Sequence, residues 1–481
     1  MSRTKEHYLE IVVISVFLLL GLIFRLKGIS TNHSFWADEA LVSSFSREII
    51  LGKTQFIEGI NAIGYQRLQT ITVAIFFKLF GISEWSARLP SVIWGSLGII
   101  FAYLIAKRHS NKWGGFLAAF LYTFLQLNLA HATEAKPYAA IETLLLMAIY
   151  FAETNLGITF VIALLATGYH YLGFIVFFPL IVQIFHRSKV SSARSIYFAL
   201  GISALLIIVW LLRIDTMIGF LLHPQFNWTT YLRELFWRQY AFITRPAIFG
   251  LFLIKDKRVR FGILFAVISL LSIWNFTLYS RNLRYLMPVF GILVVLFGIF
   301  WAKVGEVLFQ KPAIVCLTVM ALLFAGGYKI VRKPAIYYTP NADFYADVQN
   351  ADYKTFFNLT YEKFPDFDNT PVFSNLYDPF AWYSTKKPDA LFMKAVQKPS
   401  LYNHYPVMVY PELNFFIEEM KKYPSGYVFM EDWQSLMPDD IKEYVKKNLK
   451  LELRVESMSV SPEEKWPLEL YSWGFDEKKA K

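Results

Sequence analysis

The chain has 481 residues, of which 55% are hydrophobic and 18% aromatic, and its mean hydropathy is +0.38. These figures exclude an ordinary soluble enzyme and point to a membrane protein with soluble mass attached. The formal net charge of +11 does not indicate a nucleic-acid partner, because Lys and Arg come in short clusters between apolar runs, and the single Cys316 excludes an internal disulfide.

At the N-terminus, Arg3 and Lys5 precede an apolar run from Tyr8 to Phe24 with no small-residue cleavage site after it, so this reads as a retained first span. A bilayer core of about 30 Å needs roughly 20 apolar residues in helix. Candidate spans are residues 8–25, 89–106, 113–131, 137–152, 157–170, 171–186, 194–212, 237–254, 261–279, 285–302 and 312–330. The clusters Arg3/Lys5, Lys107/Arg108/Lys112, Arg187/Lys189/Arg194, Lys255/Lys257/Arg258/Arg260 and Lys303/Lys311 all fall on one side of this arrangement. That side is the cytoplasm, which predicts about eleven spans with the N-terminus in and the C-terminal region out. The short run 68–81 contains Lys78 and, as a span, would place every later cluster outside. It is read instead as a helix lying at the outer interface, which makes 26–88 one long external loop with interfacial helices.

From residue 331 the sequence turns polar, with frequent Pro, Asn and Asp. The spacing of Leu413, Phe416, Ile417 and Met420 predicts an amphipathic helix, and so does that of Ile441, Tyr444, Val445 and Leu449. Residues 371–374, 426–430 and 468–473 read as strands. The predicted fold is thus a polytopic α-helical membrane domain over 1–330 followed by an extracytoplasmic α/β domain over 331–481.

Just after the first span lies Phe35-Trp36-Ala37-Asp38-Glu39-Ala40. Two adjacent carboxylates among apolar and aromatic residues near a membrane are costly to desolvate, so they need a partner, water or a chemical task. Leu41, Phe45 and Ile49 predict a helix here, and Asp38 also suits a capping place at its start. The predicted topology brings Arg67, Arg88, His131, Glu134, Lys136, Tyr138, Arg238, Arg245 and Arg284 to the same outer face. Each has a plainer reading. Arg88 suits an anchor that snorkels to the interface, Glu134 and Lys136 suit a surface ion pair, and Arg238 and Arg245 suit lipid phosphates. No spacing of His, Cys and carboxylates reads as a dedicated metal site.

Four short motifs occur in order: the acidic pair after the first span, Phe80-Gly81-Ile82-Ser83 leading to Arg88-Leu89-Pro90-Ser91, Glu134-Ala135-Lys136-Pro137-Tyr138, and Arg284-Tyr285-Leu286-Met287-Pro288. Together they resemble the polytopic glycosyltransferases of the GT-C superfamily. The resemblance is specifically to the family of dolichyl-phosphate-mannose protein mannosyltransferases and the bacterial aminoarabinose transferase acting on lipid A. It covers residues 8 to about 330, and the C-terminal domain only in layout. It implies a GT-C fold and transfer of a sugar from a polyprenyl-phosphate-linked donor to a protein or lipid/glycan acceptor at the outer membrane face, with inversion. It makes Asp38 the catalytic base and Glu39 its companion. Arg88 and Arg284 become donor-phosphate ligands, and Arg238 and Arg245 join them because their loop is the longest external one between the later spans, while Arg67, Glu134, Lys136, Tyr138 and Tyr285 position substrate.

Two departures from the family pattern leave the donor sugar and acceptor open. Gly64-Tyr65-Gln66-Arg67-Leu68 stands where many relatives have His or Lys before paired prolines, and Lys136 stands where Arg is frequent. The resemblance calls for no cofactor, with a divalent cation left open, and for membrane lipids as partners. It implies a multi-pass protein, with the plasma membrane of a prokaryote as the expected location. A transporter or flippase is the alternative class. That class predicts internal repeats and broken or charged helices at mid-membrane, whereas the charges here gather at span ends.

Overall fold

Each candidate span that falls among the described residues carries a helix. The computed structural model describes residues 3–31, 33–64, 66–187, 235–276, 286–334, 351–394, 396–402, 406–431, 436–457 and 467–475. The candidate span 194–212 lies outside them. Contacts divide the chain into two units: a helical unit of Met1–Asn32 and Ile63–Tyr345, and a sheet unit of His33–Ala62 and Ala346–Lys481. Residues 33–62, which the sequence reading kept with the membrane domain, thus pack with the C-terminal domain.

The helical unit contains α1 (Arg3–Thr31), α4 (Arg67–Phe80), α5 (Glu84–His109), α6 (Lys112–Phe124), α7 (Gln126–His131), α8 (Tyr138–Ala152), α9 (Leu156–Tyr169), α10 (Phe177–Arg187), α11 (Ala241–Leu253), α12 (Lys257–Phe276), α13 (Met287–Val307) and α14 (Pro312–Gly326). Among the described residues, Glu6–Ile29, Glu84–His109 and Met287–Val307 are long and apolar enough to cross a membrane by themselves. The first has 17% of its apolar window buried and the third 72%, so α1 turns its apolar side chains outward while α13 is central to its unit. Glycines let helices approach α13 closely: a Cβ on Gly250 would sit 2.1 Å from the Leu296 carbonyl oxygen, and one on Gly298 2.4 Å from that of Gly114.

Local chemistry sets the helix ends. Ser83 accepts the Ser86 N–H at 3.1 Å and Asn111 accepts the N–H groups of Trp113 and Gly114, so α5 and α6 begin on side-chain caps. The expected single span 113–131 is broken at Leu125, whose extended backbone pairs with Ile330. Helix α4 follows the expected 68–81 segment. It buries Val73, Ala74 and Phe77 while Ile75, Leu79 and Phe80 stay exposed, as an apolar-sided helix should.

The sheet unit joins α2 (Ala37–Ile50) and α3 (Phe56–Ala62) to a seven-stranded sheet of order β3-β4-β2-β1-β5-β7-β6. Its strands are β1 (Val372–Ser374), β2 (Ala390–Phe392), β3 (Ser400–Leu401), β4 (Met408–Tyr410), β5 (Gly426–Glu431), β6 (Lys450–Val455) and β7 (Leu468–Trp473). Pairing of β1 with β2 and β5, and of β2 with β4, is parallel, and the other pairs are antiparallel. Helices cover both faces. Tyr427 and Phe429 pack with Phe356 and Phe357 of α15 (Tyr353–Lys363) and Phe380 of α16 (Asp378–Tyr383). Val428 and Met430 pack with Phe416 of α17 (Leu413–Lys421) and Ile441 and Val445 of α18 (Asp439–Asn448). Alternate side chains of one strand point to opposite faces, and both faces are apolar, so β5 is buried along its length.

Candidate active site

The polar residues singled out by the sequence fall into two groups, one in each unit. In the sheet unit the chain enters α2 through Phe35, whose N–H donates to the Tyr383 hydroxyl at 2.5 Å and whose ring lies 4.9 Å from that of Trp382. Ser34 Oγ donates to Asp352 Oδ1 at 3.1 Å and accepts the Lys354 N–H at 3.1 Å. Toward the far end of α2, Arg47 donates to the carbonyls of Trp382, at 2.9 Å, and Ala381, with its guanidinium 5.0 Å from the Trp382 ring centroid. These carbonyls belong to the last turn of α16, where helical partners run out. Helix α2 is therefore held against α16 at both ends.

The first turn of α2 separates the roles of its two acids. Trp36 precedes the helix in extended conformation, and its side chain has no oxygen with which to cap. Glu39, three residues on, is fully buried and accepts the Trp36 N–H on Oε2 at 3.3 Å, the reaching-back half of a capping box. Capping of the Trp36 N–H thus falls to Glu39. Asp38, about 100° round the helix from Glu39, is partly exposed. Buried His33 lies beside the cap: its Nδ1 is 2.5 Å from the Ser34 carbonyl, which can only accept, and 3.9 Å from Glu39 Oε2.

Asp378, at the start of α16, feels the charge of Asp38. Burial, and secondarily the negative charge of Asp38, pushes its carboxyl up to about 7. Nothing in the sequence marked Asp378 or His33; a lone Asp before Pro379 reads as a helix start, which it also is.

In the helical unit, the stretch between α7 and α8 brings Glu134, Lys136 and Tyr138 together with His131. Glu134 Oε2 is 3.1 Å from His131 Nδ1, and Lys136 Nζ donates to Glu134 Oε1 at 3.3 Å. Glu134 and Lys136 do pair, as the plainer reading held, but at 0% and 1% exposure the pair is interior rather than superficial. The Tyr138 ring lies 5.8 Å from that of His131 and 6.0 Å from that of His170. Ser91 of α5 donates to the Lys136 carbonyl at 3.1 Å, and Arg88 lies one turn earlier on the same helix. Arg88 is fully buried, with Nη1 4.0 Å from Glu84 Oε2, so it does not snorkel.

The remaining cations are placed differently. Arg67 is exposed at the start of α4, Arg238 is exposed, and exposed Arg245 spends its Nε on the Phe236 carbonyl at 2.7 Å. Arg284 and Tyr285 lie outside the described residues.

A second interior network escaped the sequence reading. Glu142 of α8 accepts from Tyr122 Oη and from Asn128 Nδ2, each at 2.8 Å, and buried Arg25 of α1 donates to the Tyr122 carbonyl at 3.2 Å. The signal was an acid in the middle of an apolar run, which calls for a named partner.

Residues 70–212 match the family model described as dolichyl-phosphate-mannose-protein mannosyltransferase. No curated protein matches the chain in sequence. Among solved structures, ArnT from Cupriavidus metallidurans in the apo state is similar with a TM-score of 0.59 at 11% identity, covering 98% of each chain. The same protein bound to undecaprenyl phosphate gives 0.50 at 13% identity, again over 98% of each chain. The archaeal oligosaccharyltransferase AglB from Archaeoglobus fulgidus, in complex with an inhibitory peptide and a dolichol-phosphate, gives 0.53 at 12% identity, covering 89% of this chain and 70% of that one. At such identities the structures speak for fold, and function has to be argued from the site. The family model covers residues 70–212, and the solved structures share the fold of the chain.

Proposed function

We propose that the chain is a membrane glycosyltransferase that moves a sugar from a polyprenyl-phosphate-linked donor to a hydroxyl or amine of a protein or lipid/glycan acceptor, with inversion and Asp38 as general base. The reading is supported by the family match and by two similar structures whose proteins hold undecaprenyl phosphate or dolichol-phosphate. The observation that carries Asp38's role is the division of labour in the first turn of α2. Glu39 accepts the Trp36 N–H at 3.3 Å and is fully buried, whereas Asp38, beside it in the same turn, is partly exposed.

The acceptor oxygen or nitrogen attacks the anomeric carbon as its proton passes to Asp38. The bond from that carbon to the phosphate oxygen breaks, and the lipid phosphate leaves with the electron pair. Phosphate is already a good leaving group, so the protein's task there is to stabilise charge and not to donate a proton. We assign that task to Arg88, with Arg238, Arg245 and Arg284 as further donor-phosphate ligands; a divalent cation is an open alternative carrier of the same charge. Glu134, Lys136, Tyr138, Arg67 and Tyr285 position substrate, and the reaction is placed at the extracytoplasmic face of a prokaryotic plasma membrane.

The test is Asp38→Asn in the purified protein with a polyprenyl-phosphate sugar donor. Asn keeps the size and most of the hydrogen bonding but cannot take the proton, so turnover should fall about 10²-fold or more with donor binding retained. Wild-type turnover in that variant refutes the assignment.

A further inference from the structure

Asp378 is a buried titratable group near α2 that the proposed chemistry leaves unused. It opens α16, is 8% exposed, and its Oδ1 has no hydrogen-bond partner among the described residues. The charge that acts on it is that of Asp38 from α2, and Asp378 in turn acts on the phenols of Tyr353 in α15 and of Tyr377 next to it in the chain, with Glu431 at the end of β5 also acting on Tyr353. All of them are acids or phenols. Two carboxyl groups that feel each other in a poorly solvated place do not both ionise, and the more deeply buried one keeps the proton.

We propose that Asp378 is a positioning residue for the transfer reaction, the neutral acid of a carboxyl pair in which Asp38 is the carboxylate. The clamp between α2 and α16, made by Phe35, Tyr383, Arg47 and Trp382, fastens the helix that carries Asp38 to the helix that Asp378 opens, and the Asp38 charge reaches the Asp378 carboxyl. Asp378 keeps its own proton throughout. The acceptor's proton goes to Asp38 and then to solvent, which the partly exposed Asp38 can reach. If Asp378 loses its proton, a second negative charge faces Asp38 and opposes both the docking of α2 and the approach of an anionic donor. This inference rests on the reading of Asp38 as base.

The experiment is an infrared titration of the full-length protein that follows the carbonyl stretch of protonated carboxyl groups, joined to a pH profile of turnover. A protonated-carboxyl band should be present at about pH 6, disappear in Asp378→Asn, and titrate at lower pH in Asp38→Asn, where the negative charge that opposes ionisation of Asp378 is gone. Wild-type turnover should fall about tenfold per pH unit on the alkaline side of that titration. The alkaline fall should vanish in Asp378→Asn and return in Asp378→Glu. Absence of an Asp378-dependent band, a band unmoved or moved upward by Asp38→Asn, or an alkaline fall that persists in Asp378→Asn overturns the pairing. Full turnover in Asp38→Asn with the band still shifted downward refutes Asp38 as base and leaves the carboxyl pair standing.

Discussion

Replacing Arg47 by Ala tests whether the docking of α2 on α16 holds the reactive acid in place. Arg47 supplies two charge-assisted hydrogen bonds to carbonyls in the last turn of α16 and stacks its guanidinium over Trp382. The site is half-buried, so water replaces part of what is lost. Each hydrogen bond is then worth about 1–1.5 kcal/mol and the cation–π contact about 0.5–1 kcal/mol. The total of roughly 2.5–4 kcal/mol corresponds to about 70- to 10³-fold in the local opening of α2. Hydrogen–deuterium exchange of residues 37–50 in the intact protein reads this directly, and turnover should fall while donor binding is kept. Arg47→Lys should recover only part of the protection, because an ammonium lacks the planar fork that meets two carbonyls at once. Unchanged exchange in Arg47→Ala would refute the argument that these contacts fasten the helix.

Glu39→Ala should destabilise α2 by about 1 kcal/mol through loss of the Trp36 cap, and Glu39→Gln should cost less because its amide oxygen can still accept; exchange at the Trp36 amide separates them. Glu142→Leu leaves the Tyr122 hydroxyl and the Asn128 amide without their acceptor at about 1–3 kcal/mol each, whereas Glu142→Gln keeps an acceptor, so thermal unfolding in detergent should rank Leu well below Gln. Gly298→Val forces α13 away from the Gly114 carbonyl and should lower stability by about 1–3 kcal/mol in the same assay. Asp378 binds its proton more tightly folded, at about 7, than unfolded, at about 3.9, so between these values the folded state holds the extra proton. Stability should therefore decline as pH rises through that window, by at most about 1.4 kcal/mol per pH unit, and Asp378→Asn should flatten the decline in a pH series of unfolding temperatures.

Sequence alone determined the features that depend on neighbours along the chain. Apolar runs longer than a bilayer core is thick place α1, α5 and α13, and a 3.6-residue spacing places α17 and α18. The adjacency of Asp38 and Glu39, the Glu134-Ala135-Lys136 stretch and the Arg88-Leu89-Pro90 stretch were legible, and they carried the resemblance to the GT-C type. Other features answer to distant partners. Leu125 is extended because Ile330 pairs with it, and β2 and β4 are three-residue strands too short to show a period, defined by the neighbours they bond. Burial turned Glu134 and Lys136 from a surface pair into an interior one, and Arg88 from an anchor into a buried cation. Only the packing of 33–62 with the C-terminal domain revealed that Glu39 caps the Trp36 N–H and that Asp378, far along the chain, feels the charge of Asp38. Charge state and proton affinity depend on which side chains exclude water from a carboxyl and which charges they bring to it, and that is decided by tertiary structure.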